Sequence, residues 1–371
     1  MVEARTAMRG TAWVFYAVLV LEILFLISPA APIFYSFYGP TLRFLDRFPE
    51  TAWLTQFFLP HLSTTADPVL NMLRPAGWVL LVLGTIFFLS SAAPLYWSML
   101  MRRGEVTLGA YRVIRHPQYV GLAVMGFGVL LIWPRFLVLV SLIAMLGLYR
   151  VFAGTEESQC LARFGDSYRA YMASTGRFLP RSWSRFLPRV LPESGPTRIV
   201  AGAAIFMVVL GLSIAAAFGL RNYSLSQVAA LYRPDEVILS PARLTESELE
   251  AAYRTAMEDS RVRAALEAAP PGKRIVYIVP RNWNLPDLPV ELRTVATNLS
   301  DSHNVDRTGY KLLFARARSH DPGATGAEIV KKAYGLDPII VARIDAAARN
   351  VTALESPPAH VRWGDIPIPM F

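Results

Sequence analysis

Apolar residues run in long blocks through the first 220 positions and mix with polar ones beyond them. A bilayer core of roughly 30 Å takes about 20 apolar residues in a helix. Three blocks answer to that length: Ala12 to Ser28, extending toward Phe37; Gly77 to Leu100; and Ile199 to Leu220. The first is too long for a signal peptide and lacks a small-residue cleavage site, so it is expected to span. Two shorter blocks, Tyr119–Trp133 and Phe136–Tyr149, are split by Pro134-Arg135. At 1.5 Å per residue each reaches only about 22 Å. They read as a helical hairpin, tilted or not fully crossing, with a second arm that can lengthen through Arg150 to Gly154. The expected fold is an α-helical integral membrane protein of about five membrane helices, including this hairpin, with a C-terminal α+β soluble domain.

Beyond residue 220 the periods shorten. Leu244–Ala268 has helical periodicity behind Thr245, which forms a capping box with Glu248. Arg274–Val279, Tyr310–Ala317 and Pro338–Ile344 read as strands, and Ala327–Tyr334 as a short helix. The stretch is long enough for its own core, giving an expected division into a membrane domain, 1–220, and a soluble domain, 221–371. No metal spacing, nucleophile elbow or phosphate loop stands in it, and His303, His320 and His360 read as solvated.

Composition agrees with this split. The chain is 53% hydrophobic and 18% charged, with mean hydropathy +0.35; a typical soluble domain is about 25% charged. An ordinary cytosolic enzyme and a disordered chain are both excluded. The single cysteine, Cys160, excludes an intrachain disulfide and a cysteine-based zinc cage, and no metal site is expected. The net charge of +9 is uneven: residues 1–220 carry 18 Arg, no Lys and 10 acids (+8), against 19 basic and 18 acidic groups (+1) in 221–371.

The position of those arginines sets an orientation. The 101–118 loop holds Arg102, Arg103, Arg112 and Arg115 against Glu105, and 150–198 holds eight Arg. The 41–75 loop balances Arg43, Arg47 and Arg74 with Asp46, Glu50 and Asp67. By the positive-inside rule the two Arg-rich loops face the cytoplasm, and the 41–75 loop and the C-terminal domain face the other side. The basic excess is then a topology signal in a plasma or inner membrane, and no nucleic-acid partner is expected. The repeat Arg177-Phe-Leu-Pro-Arg181, Arg185-Phe-Leu-Pro-Arg189 suits a juxtamembrane anchor at headgroup level. Glu22, inside the first block, is a functional candidate because burying an acid in a membrane is costly. Ser90 and Ser91 are expected to bond backbone carbonyls or to pack small faces.

Chemistry gathers at the bases of the hairpin. Before the first arm stands Gly109-Ala-Tyr111-Arg112, then Arg115-His116-Pro117-Gln-Tyr119-Val-Gly121. After the second stand Glu156-Glu157-x3-Leu161-x2-Phe164-Gly165-x2-Tyr168-x2-Tyr171 and Arg177-Phe178-Leu-Pro180. Two antiparallel arms of equal length return the chain to its starting level, so both clusters meet at one membrane face. Together they resemble the isoprenylcysteine carboxyl methyltransferases and the related phospholipid methyltransferases, over roughly residues 75–182.

The resemblance implies an integral-membrane methyltransferase that binds S-adenosylmethionine from the cytosol and admits a lipophilic or lipid-anchored substrate laterally. It implies that His116, Tyr119 and the Gly121 backbone line the cofactor site, with Glu156 and Glu157 completing it. The residue chemistry fits. Carboxylates suit the ammonium, the ribose and the positive cofactor, Tyr119 and Tyr168 offer faces to a sulfonium or adenine, and His116 or Arg115 can hold a carboxylate. Gly121 permits close approach of the cofactor or of a helix, and Pro117 suits the first helical turn. Arg115 and Arg177 are candidates to orient an acceptor's carboxylate or phosphate. A sterol-type NADPH reductase is the nearest rival, but its Asn-Tyr-x-Gly-Glu core is replaced here at Gln118 and Leu122. The other is a non-enzymatic membrane anchor or assembly factor working through its exported domain, residues 221–371, for which an extracytoplasmic partner is expected.

Overall fold

The computed structural model describes residues 39–60, 62–101, 106–184, 196–290, 305–357, 366–367 and 370. The expected first span with Glu22, Arg102, Arg103, Glu105, the Arg185–Arg189 repeat, His303 and His360 lie outside the described residues. The described chain falls into two compact units: one takes Leu73–Trp133 and Val138–Ala216, the other 39–72, Pro134–Leu137 and everything from Ala217 on.

Helices dominate the first unit: α1 Pro68–Leu100, α2 Pro117–Ile132, α3 Phe136–Phe164, α4 Asp166–Ser174 and α5 Pro196–Ser226. Among the described residues three helices are long and apolar enough to cross a membrane, over Pro68–Ser98, Phe136–Phe164 and Ile199–Ser226; α2 is shorter, at 16 residues. Two boundaries differ from expectation. α1 begins nine residues before Gly77 and carries Pro75 and Pro94 inside it; membrane helices tolerate internal proline where neighbouring helices, Ser or Thr side chains, water or local adjustment re-satisfy the freed carbonyl. α3 is 29 residues long and runs straight through Arg150 and both glutamates. Those charges end the apolar pattern but not the helical hydrogen bonding.

Glycines let α1 and α2 touch backbone to backbone. A Cβ on Gly84 would lie 2.5 Å from Met125 N, one on Gly121 2.8 Å from Phe88 Cα, and one on Gly128 2.5 Å from Leu81 N. Ser90 and Ser91, as expected, donate to the Phe87 carbonyl at 2.9 and 2.8 Å.

The second unit is α+β. Its strands are β1 Ala229–Tyr232, β2 Glu236–Ser240, β3 Arg274–Pro280, β4 Pro289–Val290, β5 Gly309–Arg318, β6 Gly335–Asp345, β7 Asn350–Glu355 and β8 Ile366–Pro367; its helices are α6 Glu246–Glu258, α7 Ser260–Ala268 and α8 Ala327–Lys332. Among the described residues these form a six-stranded sheet, β1-β2-β3-β5-β6-β7, and a small β4-β8 pair. β2 and β3 are parallel and joined through α6 and α7; the other neighbours are antiparallel. The expected helix over 244–268 is two helices, because Asp259 caps a second start by accepting from Arg261 N at 2.8 Å. The Thr245–Glu248 capping box is present.

Alternation along the strands gives the sheet two apolar faces. Ile238, Val276, Ile278, Leu312 and Phe314 pack with Leu249, Ala252, Ala256 and Val262 of α6 and α7. Val237, Leu239, Ile275 and Leu313 pack with Ile329 and Val330 of α8 and with Leu225 and Val228. Residues 39–67 tie into the same unit: Gln56 Nε2 donates to Ala333 O at 2.9 Å, Thr64 N to Pro241 O at 2.8 Å and Ala66 N to Gln227 O at 2.9 Å. His320 is exposed, yet its Nε2 lies 2.7 Å from Asp46 O and its ring stacks on Tyr334.

The hairpin turn also belongs to this unit. Phe57 and Arg135 form an antiparallel bridge, and Phe136, fully buried, packs its ring against Trp53, Phe58 and Phe218. Arg135 donates to the Thr55 carbonyl and lies 4.2 Å above the Phe57 ring.

Candidate functional site

Two backbone segments of the first unit are zipped together at the foot of α2 and α3. Arg115 N donates to Gly176 O at 2.8 Å, His116 N to Arg177 O at 3.1 Å and Gly176 N to Val113 O at 3.2 Å. The Ile114–Gly176 pair is a parallel bridge. Gly176 is required there because a Cβ would overlap the Leu179 carbonyl oxygen. A second turn, at Gly165, has φ +56 and ψ −123, a region open to glycine and hardly to any other residue. It ends α3 and starts α4, returning the chain toward the zipper. Tyr171 OH closes the loop by donating to Tyr111 O at 2.7 Å.

A buried carboxylate lies at the centre. Glu157, 2% exposed, accepts from Arg115 Nε at 2.7 Å and from both Nε and Nη2 of Arg177. His116 Nε2 stands 3.4 Å from the same carboxylate. Arg115 is further held by the Met172 and Thr175 carbonyls, at 3.1 and 2.5 Å. One acid thus draws in cations from both zipped segments. Removing it would leave two guanidinium groups without their counter-charge, a large cost for groups so little exposed.

Glu156 is placed differently. Its side chain is 45% exposed, with one oxygen 3.2 Å from His116 Nδ1 and the other accepting from Tyr119 OH at 2.7 Å. His116 therefore lies between the two acids. Its burial alone would lower its pKa, but the hydrogen bonds and charges of Glu156 and Glu157 outweigh that and raise it above the ordinary value. Aromatic rings line this side: His116 stacks on Tyr119 at 5.6 Å, Tyr119 on Tyr149 at 5.0 Å, and Phe178 flanks His116 at 5.9 Å.

Of the residues expected from sequence, Arg115, His116, Tyr119, Glu156, Glu157 and Arg177 come together. Pro117 is buried as the first residue of α2, with His116 as its cap. Gly121 serves the contact with Phe88 of α1, the helix-approach use of the two open to it. Tyr168 is buried behind Glu157 and beside Tyr171, and burial raises its phenol pKa. Arg115 and Arg177 are turned onto Glu157 rather than outward, which competes with the expected role of orienting a substrate anion. Tyr149 was hidden from sequence reading by its place in an apolar block. Its seven-residue spacing from Glu156, about two helical turns, was the available signal.

The family model of phospholipid methyltransferases matches residues 72–167, which take in α1 from Met72 on, α2, the length of α3 and the start of α4. This is the family that the two motif blocks resemble, and it identifies that stretch as methyltransferase-like. No curated protein and no solved structure matches the chain.

Proposed function

We propose that the protein is an integral-membrane methyltransferase that uses S-adenosylmethionine and methylates a lipophilic or lipid-anchored acceptor, such as a prenylcysteine carboxylate or a phospholipid amine. The observation that carries this reading is the unequal pair of carboxylates. Glu157 is buried under two arginines, whereas Glu156 is half-exposed beside stacked rings.

The donor set fits the cofactor. A carboxylate next to aromatic faces suits a molecule carrying a sulfonium and an ammonium. Glu156 would hold the ammonium or ribose, Tyr119 and His116 would face the sulfonium or adenine, and Glu157 and Tyr168 would back the site. Pro117 and Gly121 would set where α2 begins and how closely it meets α1. When bound, the cofactor supplies an electrophilic methyl group. The chain's own task is to hold the acceptor in line and exclude water, and a carboxylate acceptor needs no base whereas an ammonium must first lose a proton. Arg115 and Arg177 act as positioning residues through Glu157.

The family match over residues 72–167 supports the reaction class. The five-helix membrane portion, 1–220, and an extracytoplasmic domain, 221–371, with its own partner, complete the reading. Sidedness is supported by the makeup of the second unit, which joins 39–72, the hairpin turn and the C-terminal region as a shared membrane face requires. The Arg-rich site loops then face the cytoplasm in a plasma or inner membrane.

Methyl-labelled S-adenosylmethionine, incubated with the protein in its native lipid, tests the reaction. Label should pass into a lipid-extractable or lipidated fraction and fail to do so with Glu156→Ala. Cofactor bound without any transferred label would overturn the transferase reading.

A further inference from the structure

His116 turns each of its ring nitrogens toward a carboxylate. Nδ1 lies 3.2 Å from Glu156 Oε2 and Nε2 3.4 Å from Glu157 Oε1, and the residue is only 4% exposed. A neutral imidazole has one N–H and one lone pair, so one nitrogen would point its lone pair at a carboxylate oxygen. Only the imidazolium donates on both sides. Burial opposes that charge, but the hydrogen bonds and charges of the two glutamates outweigh it.

The other groups around the ring show which acid holds the proton. Arg115 and Arg177, from the two zipped segments, both bond Glu157, whereas Glu156 bonds His116 and the Tyr119 hydroxyl. Tyr149 stacks on Tyr119, and Tyr111 and Tyr168 stay neutral because burial raises both phenols. Both oxygens of the half-exposed Glu156 are therefore engaged, one of them by a histidine cation. With the proton in place, three cations and two acids sum to +1. A ligand of net charge +1 at Glu156 would raise the sum to +2 and set two cations on one carboxylate, which disfavours the protonated ring.

We propose that His116 stands in for the ligand's cation in the empty site and gives up one proton when a cationic ligand docks on Glu156. The N–H bond that breaks is the one on Nδ1, its electron pair stays on the nitrogen, and the proton leaves to water on the exposed Glu156 side. Neutral His116 keeps the N–H that it donates to Glu157. The inference rests on the cofactor reading above, which supplies a ligand with a sulfonium and an ammonium. Binding then strengthens as pH rises toward the ligand-free pKa of His116 and levels off above it.

Calorimetric titration of S-adenosylmethionine into the full chain in nanodiscs, in two buffers of unlike ionisation heat, counts the proton. Between about pH 6 and pH 7 the cofactor's own α-ammonium stays mostly charged, so the release belongs to the protein. Each binding event should release about one proton, and affinity should rise about five- to tenfold across that interval. His116→Gln, which keeps a neutral N–H donor, should bind with neither the release nor the rise. NMR of the wild-type histidine rings reads the same event without a variant: one of the five histidines should pass from imidazolium to neutral imidazole as cofactor is added. Binding with equal heats in both buffers and no change in any histidine would overturn this proposal and leave the cofactor reading standing, as would undiminished release from folded His116→Gln. No binding at any pH would overturn both.

Discussion

Glu157 and Glu156 are adjacent in sequence and one helical step apart, yet their surroundings assign them different work. Glu157→Ala should destabilise the protein by about 3–5 kcal/mol, because Arg115 and Arg177 lose their shared counter-charge; thermal unfolding in detergent measures it. Glu156→Ala, at a half-exposed position, should cost less, about 1 kcal/mol for the contacts it loses to Tyr119 and His116, while removing a contact to any bound cation. His116 adds a pH dependence of definite sign. Its folded pKa is raised by the two glutamates, so its stabilising effect is complete below the unfolded value of about 6.5. That effect is lost as pH rises through the folded value. Melting temperatures of the wild type and His116→Gln should therefore converge as pH climbs above neutrality. A gap that instead widened at high pH would contradict the assignment. The residue types were legible in sequence because the motifs carried them. Which carboxylate is buried was not, since that depends on a turn at Gly176 that brings Arg177 back onto α3.

Among elements, the α1–α2 contact explains the glycines that sequence left with two uses. Gly121→Ala would push a methyl to 2.8 Å from Phe88 Cα, and backbone on both sides cannot yield cheaply. A loss of about 1–3 kcal/mol in unfolding stability is expected. Unchanged stability in Gly121→Ala would show that the helices separate easily. Element existence was read well where periodicity was long: α1, the hairpin, α5, β3, β5, β6, α8 and the helical stretch that divides into α6 and α7 all lie where apolar patterning put them. The short strands β1, β2 and β7 were missed, being four to six residues long with too few positions to establish a period. α3 outran its apolar block because Arg150, Glu156 and Glu157 lie on a helix whose polar end serves the site. The break at Asp259 was missed because its capping side chain sits within a continuous amphipathic pattern.

At the scale of the whole molecule, the described chain divides by packing rather than by position along the sequence. The second unit gathers residues 39–72, the hairpin turn and the C-terminal strands into one α+β body. Within it, Asp287 has φ +61 and a carboxyl that burial raises to about 6, against hydrogen bonds from Tyr277 and Met370 N. An acid so raised costs stability as pH climbs from its unfolded value of about 3.9 toward the folded one. Asp287→Asn, a residue also tolerant of positive φ, should be more stable than the wild type at pH 7, by on the order of 1–2 kcal/mol. That advantage should vanish below about pH 4, as read from denaturant unfolding followed by the sheet signal. The other unit carries the methyltransferase-like stretch, and its two zipped loops hold the cluster on which the functional account rests. Calorimetric titration of S-adenosylmethionine into the full chain in nanodiscs tests that account most directly. It predicts saturable binding to the wild type that Glu156→Ala abolishes without unfolding the protein; absence of binding to the folded wild type, or equal binding to both, would contradict it.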